Sequence, residues 1–336
     1  MCIICTGEYL GKKAIQISEC KLLTEIPIIP GLEQLNCWGC TNLRKIPIIP
    51  GLKKLECSHC PLLTEIPVLA QLEELYCQDC QNITEISAVP SLRILQCSRC
   101  QNLEKLSCFN CPNLKYLYCS DCRNVREIPI IPGLYQLDCS VCTNLKELPV
   151  IPGLKQLFCF HCKNLEKIPI IPELKYLNCY NCEALKEIPI ISGLKKLICE
   201  NTNIKEIPNI PSLQEIWCNN CNYLTKISIS SLFYLECKDC PSLTDIPYAM
   251  FLHCSGCTWV SQNIEFKENL SKLVTLQKYV KKYHKLKICK RWIASDDFRE
   301  WYYHPEGPGG IKAVLRLNLR VCSQASPLET AFRRSF

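Results

Sequence analysis

Cysteine has the most chemistry to offer in this chain: 30 of the 336 residues are Cys. Twenty-six of them form thirteen Cys-x-x-Cys pairs, one at Cys2/Cys5 and twelve between Cys37 and Cys257. Two sulfurs at that spacing can grip one zinc ion or close into a disulfide, so the pairs alone would read as metal or redox sites. Their period argues otherwise. Leu32, Leu52, Leu72 and Leu92 lie 20 residues apart, as do Leu114, Leu134, Leu154, Leu174 and Leu194, and the cysteines keep the same beat. One template covers these stretches, L-x-x-L-x-C-x-x-C-x-x-L-x-x-I-P-x-I-P-G, and Leu134–Gly153 (LYQLDCSVCTNLKELPVIPG) shows it in full.

A degenerate copy precedes Leu32, with Ile15, Ile17 and Cys20 in the strand positions. After Leu194 the spacing tightens through Leu213 and Leu232 to a last copy around Leu252, Cys254 and Cys257. This makes about 13 coils between roughly residues 10 and 260. In each coil a short strand alternates its faces, so Leu137 and Cys139 are expected to point inward and Gln136, Asp138 and Ser140 outward. The third Leu and the Ile before Pro fill the core from the return leg. The Pro-x-Ile-Pro run fixes φ and removes donors, which predicts an extended or polyproline return instead of a helix. A Gly after it suits the bend into the next strand. One coil cannot bury its own apolar face, so neighbours must stack about 4.8 Å apart.

This pattern resembles the leucine-rich repeats, in their short, helix-poor 20-residue class. The cysteine-rich Ile-Pro version, followed by Trp301–Pro305 (WYYHP), is similar to leucine-rich-repeat proteins that amoeba-infecting giant viruses encode in many copies. The resemblance implies a leucine-rich-repeat solenoid, a curved right-handed stack of about 13 short-strand coils. A parallel sheet lines one face, the returns are extended or polyproline, and a helical C-terminal segment follows. It implies a protein-interaction role, in host cytoplasm or a viral factory, with a host protein as one candidate partner. It also reassigns the cysteines. The first of each pair occupies the family's inward aliphatic position, and the second the Asn/Cys position that hydrogen-bonds the turning backbone. At Cys199-Glu200-Asn201-Thr202-Asn203 the second Cys is missing, and Asn residues are expected to replace it. A metal-binding or redox-sensing Cys-x-x-Cys array stays as the alternative. Between Leu92 and Leu114 the spacing is 22, and Cys108/Cys111 reads as a strand motif duplicated on the convex side. That pair is the weak metal candidate. The bland reading, a slipped and locally buried copy, is preferred, and no cofactor is expected.

Binding in a solenoid falls to the outward strand positions, since the rest is committed to stacking. In this sequence they collect aromatic residues: Tyr76, Tyr116, Tyr118, Phe158, Phe160, Tyr176, Tyr180, Trp217 and Tyr234. Aromatics are frequent interface hot spots, although strand propensity alone also favours them. The reading is a contiguous aromatic strip that binds a partner protein.

Charge sets the C-terminal segment apart. Residues 262–336 hold 15 of the 39 Lys and Arg but 7 of the 32 Asp and Glu. Lys278, Lys281, Lys282, Lys285, Lys287, Lys290 and Arg291 lie among apolar residues at near-helical spacing, which predicts basic amphipathic helices. They cap the last coil and offer the chain's one route to nucleic acid or an acidic surface. The domain reading is a solenoid over 1–260 with an N-terminal cap at about 1–11, which Cys2 and Cys5 help to form. A basic, mainly helical cap follows over 261–320, then a disordered tail over 321–336.

No signal-like or membrane-length apolar run is found, which points to the cytoplasm and to reduced thiols. Catalysis is not expected. Cys77-x-Asp79, Cys119-x-Asp121 and Cys237-x-Asp239 echo a ubiquitin-ligase nucleophile motif but fall on the repeat, so a substrate-recognition role in a ligase assembly is a further alternative. His59, His161, His253, His284 and His304 are scattered, and Gly307–Gly310 lacks the Lys-Ser/Thr of a phosphate loop.

Overall fold

The computed structural model describes residues 2–244 and 246–257, with the backbone alone at Tyr248. The expected basic cap (261–320, with Lys278, Lys281, Lys282, Lys285, Lys287, Lys290 and Arg291) and the tail (321–336) lie outside the described residues.

Thirteen short strands, from Ala14–Gln16 to Tyr248–His253, pair in parallel into one sheet, and about 12 turns of chain link them. The register keeps equivalent residues side by side, with Leu137 between Leu117 and Leu157. It survives the 22-residue coil, where Leu95 pairs with Leu117, and the 19-residue coil, where Ile198 pairs with Trp217. Length variation is therefore absorbed on the return legs. Two of these add short parallel pairs, Glu85–Ile86 with Lys105–Leu106 and Glu206–Ile207 with Lys226–Ile227.

The inward residues follow two periods. Leu137 and Cys139 alternate across the strand with Gln136 and Asp138, as expected. Elsewhere the inward positions fall three apart: Cys139, Cys142, Leu145, Leu148, Ile151, Leu154 and Leu157 are all buried. The cause is local. Cys142 N–H donates to Cys139 O (3.3 Å), Leu145 N–H to Cys142 O (3.1 Å) and Leu154 N–H to Ile151 O (3.3 Å). Such i to i+3 turns, and a polyproline-like Pro149–Pro152 run, both repeat every three residues.

The residue before the second Cys is left-handed in every coil, from Glu19 (φ 56°) through Val141 (φ 61°) to Gly256 (φ 76°). This turn lets the ladder continue past the strand, for Val141 N–H reaches Phe160 O at 2.8 Å. At the other bend glycine is required only where the coil turns left-handed: Gly153 has φ 92°, and a Cβ there would sit 3.1 Å from Gly133 Cα, whereas Glu173 fills the same place with an ordinary backbone.

Two expectations are corrected and a third is sharpened. Ser140 is fully buried instead of outward. Coils stacked this closely cover a small side chain, whereas Phe160 and Tyr180 in the same column reach past them and stay half-exposed. The duplicated strand motif is present as Lys105–Leu106, paired with Glu85–Ile86 on the return side, and Cys108–Asn110 after it is a single 3-10 turn with Cys111 N–H bonded back to Cys108 O (3.1 Å) and both cysteines buried. Finally, Thr202, not an Asn, takes the place of the missing second Cys. It is buried, and its hydroxyl donates to Cys199 O at 2.6 Å.

A four-residue helix, Ile3–Thr6, precedes the first coil, and Cys2, Ile3, Ile4 and Tyr9 pack partly buried against it. No helix among the described residues is long and apolar enough to cross a membrane.

Candidate protein-binding face

The cysteines sort into two interior columns. The second Cys of a pair donates its S–H to the carbonyl of the first Cys one coil earlier: Cys142 to Cys119 O (3.2 Å), Cys162 to Cys139 O (3.1 Å), Cys182 to Cys159 O (3.0 Å). The first Cys often points its thiol at a strand carbonyl of the next coil, as Cys139 does to Phe158 O at 3.6 Å. The thiols thus add a second donor to carbonyls such as Cys139 O and Phe158 O, which a backbone N–H already reaches. A hydrogen bond with the Cys142 thiol, and burial, raise Cys119 well above the ordinary thiol range; Cys162 and burial do the same for Cys139. Protonated, buried thiols of this kind are poor nucleophiles and poor ligands. At Cys108/Cys111 the thiol–thiol bond and burial push Cys108 up, while the same bond brings Cys111 down to about 7. Among the described residues no third ligand atom gathers with that pair.

All nine aromatic candidates lie on the outward side of the sheet and all are half-buried, their flanks covered by neighbouring coils. They form groups, not one unbroken strip. Tyr76 stands apart, with Lys54 5.1 Å from its ring centroid and its hydroxyl 3.3 Å from Glu74. Tyr116 and Tyr118 stack on one strand (6.5 Å), and Tyr135 joins them at 5.9 Å. Phe160 and Tyr180 meet through His161, at 5.9 and 5.0 Å.

The longest group runs from the middle of the sheet to its last strand. Phe158 contacts Tyr176 (4.9 Å), Lys196 lies over both Tyr176 (5.7 Å) and Trp217 (4.1 Å), Trp217 meets Tyr234 (4.7 Å), and Tyr234 meets His253 (5.6 Å). The gap between groups is the coil carrying Gln136 and Asp138 at the ring positions. Carboxylates fringe the long group. Glu236 accepts from Tyr234 Oη (2.6 Å), Lys238 Nζ (2.7 Å) and Asn219 Nδ2 (3.1 Å). The hydrogen bond from Lys238 leads in holding its carboxyl down at about 2, while Glu236 in turn pushes the Tyr234 phenol up to about 12. Burial raises Glu200 above the usual carboxylate range.

Two features escaped the sequence reading. Tyr135 and Phe233, one step before the columns followed, and Phe251, which pairs with Tyr234 in the last coil, are more exposed than the nine named rings. The other is an aliphatic row on the return side. Ile28, Ile48 and Val68, then Ile130, Val150, Ile170 and Ile190, are each at least half exposed. The signal was present in the variable residue of Pro-x-Ile-Pro, which is apolar coil after coil. A threefold period on that leg would have placed it outside.

Neither a protein-family model nor a curated protein matches the chain. Among solved structures it is similar to a leucine-rich repeat protein from Bacteroides ovatus, at 18% identity over 74% of this chain and 80% of that one, with a TM-score of 0.46. It is also similar to the functional domain of InlJ from Listeria monocytogenes, which includes a cysteine ladder, at 17% identity over 68% and 73% of the two chains, with a TM-score of 0.27. The fold itself is a parallel-sheet solenoid, set by the chain's own 20-residue period and sheet register.

Proposed function

We propose that the chain is a non-catalytic binding module that holds a partner protein against the outward face of its sheet, centred on Phe158, Tyr176, Trp217 and Tyr234. The observation that carries this reading is the unbroken run of ring and cation contacts from Phe158 to His253, across six neighbouring strands. Six strands span about 24 Å, the width of a protein epitope. Rings held by their neighbours lose little freedom on binding, and half-exposed aromatics with amphipathic edges are the usual anchors of such contacts. The face carries Glu200, Glu215 and Glu236 beside Lys196, so it lacks the positive field that nucleic acid requires.

The test is partner capture by the full chain with Tyr176→Ser or Trp217→Ser, beside Ile130→Ser/Ile170→Ser on the return side. Each sheet-face substitution is expected to weaken the partner by about 2 kcal/mol, roughly 30-fold, with the return-side variant unchanged. A partner lost from the return-side variant and kept by the sheet-face variants overturns the assignment.

A further inference from the structure

The interior cysteine columns are committed to carbonyls, but their N-terminal end is not. Cys20 stands in the second-Cys column of the first coil, where Cys40, its successor, donates to Ile17 O at 3.2 Å. Among the described residues a short helical turn, not a coil, stands before Cys20, so the equivalent carbonyl is not offered there. What stands there is the turn Cys2–Thr6, which brings two more thiols. Cys2 Sγ lies 3.4 Å from Cys5 Sγ, Cys5 Sγ lies 3.8 Å from Cys20 Sγ, and all three fall within 4.8 Å of one another. Among the described residues this is the one such gathering of three ligand atoms.

We propose that Cys2, Cys5 and Cys20 form a site for one thiophilic d10 cation, zinc(II) in the reference case, that fastens the N-terminal turn to the first coil. Three sulfurs bound tetrahedrally to one zinc at about 2.3 Å stand about 3.8 Å apart, close to the spacing seen. A structural disulfide needs a much shorter approach and would leave one thiol unused. Cys5 is exposed, Cys2 half-buried and Cys20 buried, so the ion can enter from solvent, which also supplies the fourth ligand. The fold gives reason for such a clasp. The helix Ile3–Thr6 is four residues long, too short to persist by itself, and it covers the open edge of a thirteen-stranded sheet. On binding, each thiol gives its proton to water as its bond to the metal forms, so affinity falls as pH falls.

The experiment uses the full chain, reduced, chelator-treated and kept anaerobic, titrated with zinc against a chromophoric competitor and with cobalt(II) as the spectroscopic probe. The expected result is one equivalent bound, a tetrahedral thiolate spectrum and a raised melting temperature. All three should be lost in Cys5→Ser, whose exposed position spares the fold, and kept in Cys108→Ser/Cys111→Ser. No bound metal, equal binding by Cys5→Ser, or loss in the Cys108/Cys111 variant overturns the proposal. So does a Cys2–Cys5 or Cys5–Cys20 disulfide in the anaerobic protein.

Discussion

At the scale of single residues, the account rests on what each repeat position can tolerate. The left-handed position before the second Cys carries Asn, Asp, His or Gly in most coils, residues that bear this backbone at least cost, but Val in one. A β-branched side chain there is strained by about 1–2 kcal/mol. Val141→Asn is therefore expected to stabilise the array by about 1 kcal/mol, read as a higher denaturation midpoint at unchanged slope. A lower midpoint would mean that Val141 makes compensating contacts. One position along, Ser140 Oγ is buried without a hydrogen-bond partner. Ser140→Ala should be neutral or stabilising by up to about 1 kcal/mol, since it removes an unsatisfied hydroxyl. Acid stability has a residue of its own in Glu236. Its carboxyl is lowered from 4.5 to about 2, so its contribution is complete above pH 4.5 and lost as pH falls toward 2. The melting curves of the wild type and Glu236→Gln should differ at neutral pH and converge across that window. A constant offset at all pH values would assign the effect to shape and not to charge.

At the scale of the element, the sequence made some of this legible and hid the rest for a physical reason. Leu137 and Cys139 could be placed inward from period two, because a strand has no other option. Ile151 was placed inward as the Ile before Pro, but the exposure of Val150 went unread, because the return leg turns every three residues and both are apolar. Ser140 was misplaced because alternation ignores side-chain size, and size decides burial between coils about 4.8 Å apart. Thr202 was missed because Asn is the commoner ladder residue, although a count of three from Cys199 falls on Thr. That coil shows the column accepting a hydroxyl, for Thr202 is buried there and donates to Cys199 O of its own coil, a carbonyl that the Cys221 thiol also reaches. Cys142→Thr is accordingly expected to cost no more than about 1 kcal/mol, and Cys142→Asp several, as a carboxylate enters an apolar column. Equal losses in both would show that the column needs sulfur itself.

At the scale of the whole repeat array, burial and binding use different faces of the same coil. The interior is closed by Leu, Ile and Cys, which leaves the outer strand positions free to vary, and there the aromatic run from Phe158 to His253 has collected. The aliphatic row on the return side is the competing surface, and substitutions report on it only through lost affinity, without showing what lies in direct contact. A photoreactive phenylalanine analogue does show it. Placed at Tyr176, Tyr234 or, on the other side, Ile170, it labels what lies within reach when the full chain is irradiated in extract of the cells that produce it. One protein is expected to be joined at both Tyr176 and Tyr234 and none at Ile170. The same protein joined at Ile170 alone would contradict it and move the binding face to the return side of the solenoid.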